Sequence, residues 1–370
     1  MRGGTSKSVF LLENDLPRDP AERDRLILRI FGSPDVRQID GLGGADPLTS
    51  KVTVIGPPSR PDADVDCLFG QVSITEPFIA YDGNCGNLLS AVGPFAIDEG
   101  FVRAKEGLTV VRIHNLNTGR LIVAEVPTAN GKAVTKGDFA IDGVPGTGAK
   151  ITLDFSDTAG AGTGKMLPTG NVRDVLDIPG FGRLEASFVD VANPMVFVRA
   201  GDLNLTGTET PQELRSRPDL LKLLETIRGT AAIRIGKAGS LEEALHRSPA
   251  LPMLAFVRPP AEYREFTTGK LIRAEDVDFV SRLMFMQVMH NAYAGTGTIC
   301  TGSAAKIPGT IVNEMIADAE AKDVIRFGHP AGTIQVEVRT EQGPDGCVTL
   351  KRAAICRTAR RIMDGYVYVD

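Results

Sequence analysis

The sequence predicts an α/β chain of the α+β type, built as two similar domains, each a mostly antiparallel β-sheet curled around a central helix. Three observations carry this. First, 40 glycines and 23 prolines in 370 residues, beside 6% aromatics and no tryptophan, suit many short strands joined by turns, because both residues punctuate elements and break helix interiors. Second, short β-rich runs recur along the whole chain. Third, each half holds one small-residue segment, led by a cysteine, that reads as a buried helix. An all-helical bundle fits this profile poorly, and 42% hydrophobic with 24% charged residues describes an ordinary globular chain with enough core to need no staples.

Taken in order, strands are expected at 8–12, 51–55, 68–74, 109–113, 120–126 and 150–155. Turn signals such as Asn117-Thr118-Gly119 and Asn130-Gly131-Lys132 space them as consecutive antiparallel strands. Between them, 85–97 is apolar on nearly every face, the mark of a buried helix. The second half repeats the plan, with strands at 183–191, 195–198, 253–257, 332–338 and 347–350, helices at 211–228 and 276–293, and a second small-residue helix opening at Cys300. The repetition suggests a duplicated domain with a functional cleft between the halves. The expected domains are 1–170, with its central helix from Cys85, and 171–370, with its central helix from Cys300 and a C-terminal segment that could return to the first. The Gly-rich stretch 159–170 is the expected flexible crossover.

A net charge of -5, from 41 basic and 46 acidic residues, offers no electrostatic footprint for nucleic acid or an anionic membrane. No segment approaches the roughly 18 apolar residues of a membrane helix, and the N-terminal apolar run is too short for a secretory signal. A cytoplasmic protein is expected. Five cysteines (Cys67, Cys85, Cys300, Cys347, Cys356) are odd in number and lack a CxxC pair, so neither a disulfide framework nor a zinc knuckle is supported. His114, His246, His290 and His329 show no ligand spacing, and no metal site is expected; His329 lies in a Gly-His-Pro turn of the kind that lines sites.

The strongest chemical signal is Asp82-Gly83-Asn84-Cys85-Gly86-Asn87. A thiol at the first turn of a buried helix faces backbone N–H groups and the positive dipole end, which favour a thiolate over its reference pKa of about 8.5. The same N–H groups can hold a carboxylate or an enolate oxygen. A small core residue beside a glycine turn is the competing reading of Cys85. The turn 295–303, around Cys300, offers a second set of hydroxyls and donors, although a packed thiol in a Gly-rich helix entry explains it better. Arg2-Gly3-Gly4-Thr5-Ser6-Lys7 and 41–51 are Gly-rich loops able to form an anion nest. Lys51 opens an apolar strand, where desolvation could bring it toward a base's working range. No phosphate-binding loop pattern is present.

These blocks, together with Gly93-Pro94-Phe95-Ala96, Lys165-Met166-Leu167-Pro168-Thr169-Gly170-Asn171, Ile307-Pro308-Gly309-Thr310 and Gly328-His329-Pro330, resemble the PrpF family of the diaminopimelate epimerase-like fold over nearly the whole chain. That family contains methylaconitate isomerases, 3-methylitaconate delta-isomerases and 4-oxalomesaconate tautomerases. The resemblance implies two α/β domains around central helices, an interdomain site, no cofactor, and a small di- or tricarboxylate substrate. It implies a 1,3-allylic proton shift with Lys51 and Cys85 as the proton-transfer pair, their direction left open. Carboxylate anchoring would fall to Arg2, Gly3, Gly4, Thr5, Ser6, Ser50, Asn84, Gly86, Asn87, Cys300, Thr301, Gly302, Ser303 and His329. The family usually carries a short strand ahead of the Arg2-Gly3-Gly4 block; without it, an edge of the first sheet would be open and Arg2 poorly ordered.

Two other readings stay open from the sequence. One is an accessory protein for an iron-sulfur dehydratase of the aconitase type. The other is a two-cysteine epimerase using Cys85 and Cys300, against which the Thr301-Gly302-Ser303 sequence counts. Helices in the second half could support a homodimer.

Overall fold

The computed structural model describes residues 1–81, 83–343 and 348–369, so Asp82 and Cys347, both singled out above, lie outside the described residues. The chain forms two compact units, Met1–Leu153 with Cys356–Asp370, and Asp154–Ile355. The boundary falls after Leu153 instead of at 170, and the C-terminal segment joins the first unit.

In the first unit, Lys51–Gly56 pairs antiparallel with Val65–Val72, and Gly107–Asn115 antiparallel with Arg120–Ala129. Two joints are parallel, contrary to the expected run of hairpins: Val9–Leu12 with Lys51–Gly56, and Val65–Val72 with Gly107–Asn115. The reason is that a helix lies in each connection, and parallel neighbours need such a crossover. The first crossover helix, Pro20–Phe31, was not expected, yet Asp19 caps it by accepting from Glu22 N, with proline at its first position. The second is the buried helix Gly86–Asp98. The inward faces of the neighbouring strands close on it with Val111, Ile113, Ile122, Ala124 and Val126 fully buried. Gly93 permits the approach, since a Cβ there would stand 2.7 Å from a Val126 methyl.

Arg2 is not on an open edge. Arg2–Gly3 pairs with Ser6–Lys7 on one side and with Ala359–Arg360 on the other.

The second unit reuses the arrangement. Phe279–Phe285 leads through the helix Gly295–Ala305 to a parallel partner, Val324–His329, which forms a hairpin with Gly332–Gln342. This matches the order Val65–Val72, Gly86–Asp98, Gly107–Asn115, Arg120–Ala129 in the first unit. Asp174–Ile178, Gly182–Val191, Asn193–Arg199 and Met253–Arg258 extend the sheet.

Four expectations for this unit need correction. The segment 276–293 is no helix but the strands Phe279–Phe285 and Val288–Met289. Phe279–Phe285 lies between two strand partners with residues 279–284 all buried, so its apolar run cannot be told from a helix by periodicity. Its turn uses Met286 and Gln287 at φ 52° and 60°, positions usually marked by glycine or asparagine. The segment 211–228 is two helices, Pro211–Arg215 and Pro218–Arg234, because the residue before a proline avoids helical geometry. The small-residue helix opens at Gly295, which places Cys300 in its interior. Finally, the stretch 159–170 is pinned: the Asp190 carboxylate accepts from Gly162 N at 2.9 Å, Thr163 N at 2.6 Å and Thr163 Oγ1 at 2.7 Å, while its backbone bonds Gly160 and Met166.

Candidate functional site

Lys51 begins a strand buried at every position and is itself 2% exposed. Its register partner across the antiparallel pair is Gln71, whose Oε1 accepts from Lys51 Nζ. Gln71 is aimed by its own amide, which donates to Pro47 O at 3.1 Å and Ser50 O at 3.0 Å. The ammonium also sits 5.3 Å over the Phe69 ring. Burial lowers the Lys51 pKa from its ordinary value, and negative charge at Cys85 or Asp46 acts in the opposite direction.

Cys85 caps the helix Gly86–Asp98 in extended geometry, and its carbonyl accepts from Leu89 N at 3.0 Å. The half-buried thiol lies 3.9 Å from Ser6 Oγ. Its following helix residues, Gly86 and Asn87, belong to the first turn, where backbone N–H groups face outward along the axis. Asn87 ties three distant segments together: its Nδ2 donates to Thr5 Oγ1 at 3.0 Å, and its Oδ1 accepts from Arg357 Nε at 2.9 Å. Asn84 is buried on the approach to this helix.

Gly3 and Gly4 serve packing more directly than a nest. A Cβ on Gly3 would stand 2.5 Å from Asn87 O, and one on Gly4, at φ +50°, would overlap Asn87 Oδ1. Gly4 N donates to Thr358 O at 2.9 Å. Arg2 Nη1 donates to Gly4 O at 2.9 Å and to Thr358 O at 2.8 Å, so it holds its own turn, where a carboxylate contact was expected. Ser50 Oγ donates to Gln38 Oε1 at 2.7 Å and closes the loop ahead of Lys51. The first unit thus gathers Thr5, Ser6, Cys85, Asn87 and Arg357 at one helix start, with Lys51 near enough to sense charge on Cys85.

The residues expected from the second unit are placed differently. Cys300 Sγ is fully buried and donates to Val189 O at 3.2 Å, and burial pushes its thiol pKa up. Thr301 Oγ1 meets Tyr293 Oη at 3.0 Å. Gly302 has no room for a Cβ against Val336. Ser303 Oγ is buried with no hydrogen bond among the described residues. Cys300, Thr301, Gly302 and Ser303 lie past the first turn, where backbone N–H groups close the helical ladder and are not available to a ligand. The first-turn donors belong to Gly295, Thr296 and Gly297, and Asn193 Nδ2 holds Thr296 Oγ1 at 3.1 Å. His329 is buried at a strand end, its Nδ1 accepting from Ala331 N at 3.2 Å.

Sequence reasoning missed Gln71, Gln38 and Arg357: Gln71 depends on strand register, Gln38 on a loop that folds back onto Ser50, and Arg357 on a partner 270 residues away. Among the described residues, no cluster of three or more His, Cys, Asp or Glu is arranged to hold a metal, and no helix is long and apolar enough to cross a membrane.

The family model described as PrpF protein matches residues 1–370. The chain belongs to the PrpF family. Among its PrpF relatives, 3-methylitaconate isomerase of Eubacterium barkeri is 59% identical over 370 residues, covering 100% of this chain and 96% of the relative. A 2-methyl-aconitate isomerase of Shewanella oneidensis is 43% identical, covering 100% and 95%. A 4-oxalomesaconate tautomerase of Pseudomonas putida is 38% identical, covering 100% and 94%. A crystal structure of methylitaconate-delta-isomerase superposes with a TM-score of 0.82 at 59% identity, over 100% of this chain and 94% of that one. A probable proline racemase from Agrobacterium radiobacter, 14% identical over 94% and 83% of the two chains, superposes at 0.54 and shares the fold alone. The architecture is the racemase and diaminopimelate epimerase-like α+β fold that the sequence predicted.

Proposed function

We propose that this PrpF protein is an isomerase that moves a proton across a three-carbon allylic unit of an unsaturated di- or tricarboxylate, with no cofactor, using Lys51 and Cys85. The observation that carries the assignment is a buried lysine, its pKa lowered by desolvation, in electrostatic reach of a cysteine at a helix N-cap position. Lowering a lysine's pKa enlarges the neutral amine fraction that can act as base.

In an itaconate-type substrate, neutral Lys51 Nζ takes the proton from the saturated carbon beside a carboxylate. The electron pair shifts along the allyl unit, and the Cys85 thiol gives its proton to the terminal carbon. The substrate gains and loses one proton, leaving an ammonium and a thiolate that reset by proton exchange. The helix start at Gly86 supports the negative charge that builds on the carboxylate oxygens. The 59% identity to a 3-methylitaconate isomerase makes a branched itaconate the first substrate to test.

Incubation with such acids in deuterated water, followed by proton NMR, should show enzyme-dependent exchange and double-bond movement. Lys51→Ala and Cys85→Ser should each slow it about 100- to 10,000-fold, the usual worth of a general acid or base. Unchanged exchange in both variants would remove the assignment.

A further inference from the structure

Arg357 is 4% exposed and re-enters the first unit beside the start of the helix Gly86–Asp98. Its Nε donates to Asn87 Oδ1 at 2.9 Å and its Nη1 to Cys356 O at 2.8 Å. Among the described residues Nη2 has no hydrogen bond, and no carboxylate pairs with the group. A buried cation without an anion is costly; of the other large buried arginines, one is held by a carboxylate and one lies under an aromatic face. Arg228 pairs with Glu225 and donates to three carbonyls; Arg282 donates to two carbonyls and stacks 4.8 Å over the Tyr263 ring.

The guanidinium is a planar fork in which Nε and Nη2 share one edge, the edge that takes carboxylates. Because Nε rests on Asn87 Oδ1, Nη2 is turned the same way, toward the helix start that carries Cys85 and the Thr5 hydroxyl held by Asn87. We propose that Arg357 anchors one carboxylate of the substrate through Nη2 at this helix start, an inference that rests on the isomerase reading and adds a binding residue to its site. Burial lowers the Arg357 pKa to about 10, so the group keeps its charge at neutral pH. Asn87 fixes the plane of the fork and Thr5 lies beside it, so the substrate's carboxylate would meet a preset donor edge.

The test is a cycle of variant against ligand. Binding of an itaconate-type diacid and of its two mono-methyl esters is measured by calorimetry on wild type, Arg357→Gln and Arg357→Lys. Diacid affinity should fall about 10- to 100-fold in Arg357→Gln, the scale of a lost charged hydrogen bond, with part of it restored in Arg357→Lys. For one of the two half-esters, wild type and Arg357→Gln should agree within about threefold, because that ester already lacks the anchored charge. An equal loss for the diacid and both half-esters, or no loss at all, would overturn the anchor. Where Arg357→Gln fails to fold, Arg357→Lys carries the cycle. A wild type that binds the diacid but never isomerises it overturns the proposed function and not the anchor; an active enzyme whose cycle shows no coupling overturns the anchor alone.

Discussion

Lys51 and Gln71 stand directly opposite each other on the antiparallel pair Lys51–Gly56 and Val65–Val72, and the lysine amine donates to the glutamine carbonyl. The partner carries no charge, so it orients the amine and favours the ammonium far less than a carboxylate would. Gln71→Glu would place a carboxylate there and raise the Lys51 pKa. Since the base must be unprotonated, the acidic limb of the kcat/KM profile should move to higher pH, by about one unit or more. A pH-rate profile checks this, and an unmoved limb would mean that another group titrates.

The same burial sets a stability test. The folded-state pKa of Lys51 lies below its ordinary 10.5, so between the two values the unfolded chain binds the extra proton and stability rises with pH. Below that window the cost is full. Lys51→Met should therefore stabilise the protein at pH 7 by about 1–3 kcal/mol while abolishing activity, with the advantage shrinking as pH approaches 10.5. Thermal melts at several pH values measure it.

The two helix cysteines should behave differently. Cys85 is half-buried at a helix start, whereas Cys300 is sealed inside a helix on Val189 O. Cys300→Ser, which keeps a donor for that carbonyl, should change the isomerisation rate by less than about threefold, against about 1,000-fold for Cys85→Ser. Steady-state rates decide it, and equal losses would restore the two-cysteine epimerase reading.

Asp190 anchors the stretch 159–170 through three hydrogen bonds to one carboxylate oxygen. Asp190→Ala should cost about 2–4 kcal/mol and release the loop. Trypsin should then cut after the exposed Lys165 many times faster than in wild type, which N-terminal sequencing of the fragments would show.

Much of the fold was legible because its strands carry their own pattern: 109–113 alternates buried and exposed positions, 121–126 alternates half-buried and buried ones, and 85–97 is apolar on nearly every face. Lys51 and Cys85 stood out for the same local reason, an amine in an apolar strand and a thiol before a helix. The segment 276–293 misled because a strand buried on both faces has no alternation. The start of the helix Gly295–Ala305 misled because Gly295 and Gly297, which read as loop, stand in its first turn. Gln71 was invisible without the register that faces it to Lys51. Arg357 was invisible because its partner Asn87 is 270 residues away in sequence.

The first unit is interrupted: the chain leaves it after Leu153 and returns at Cys356. Arg357, the Thr358 carbonyl that holds Arg2, and the strand Ala359–Arg360 therefore leave the ribosome only after the whole second unit. Until then the Arg2-Gly3-Gly4 turn and the helix start at Cys85 lack their closing contacts. The nascent chain thus carries Lys51 and Cys85 long before it can complete their surroundings, and completion waits on synthesis of the whole second unit.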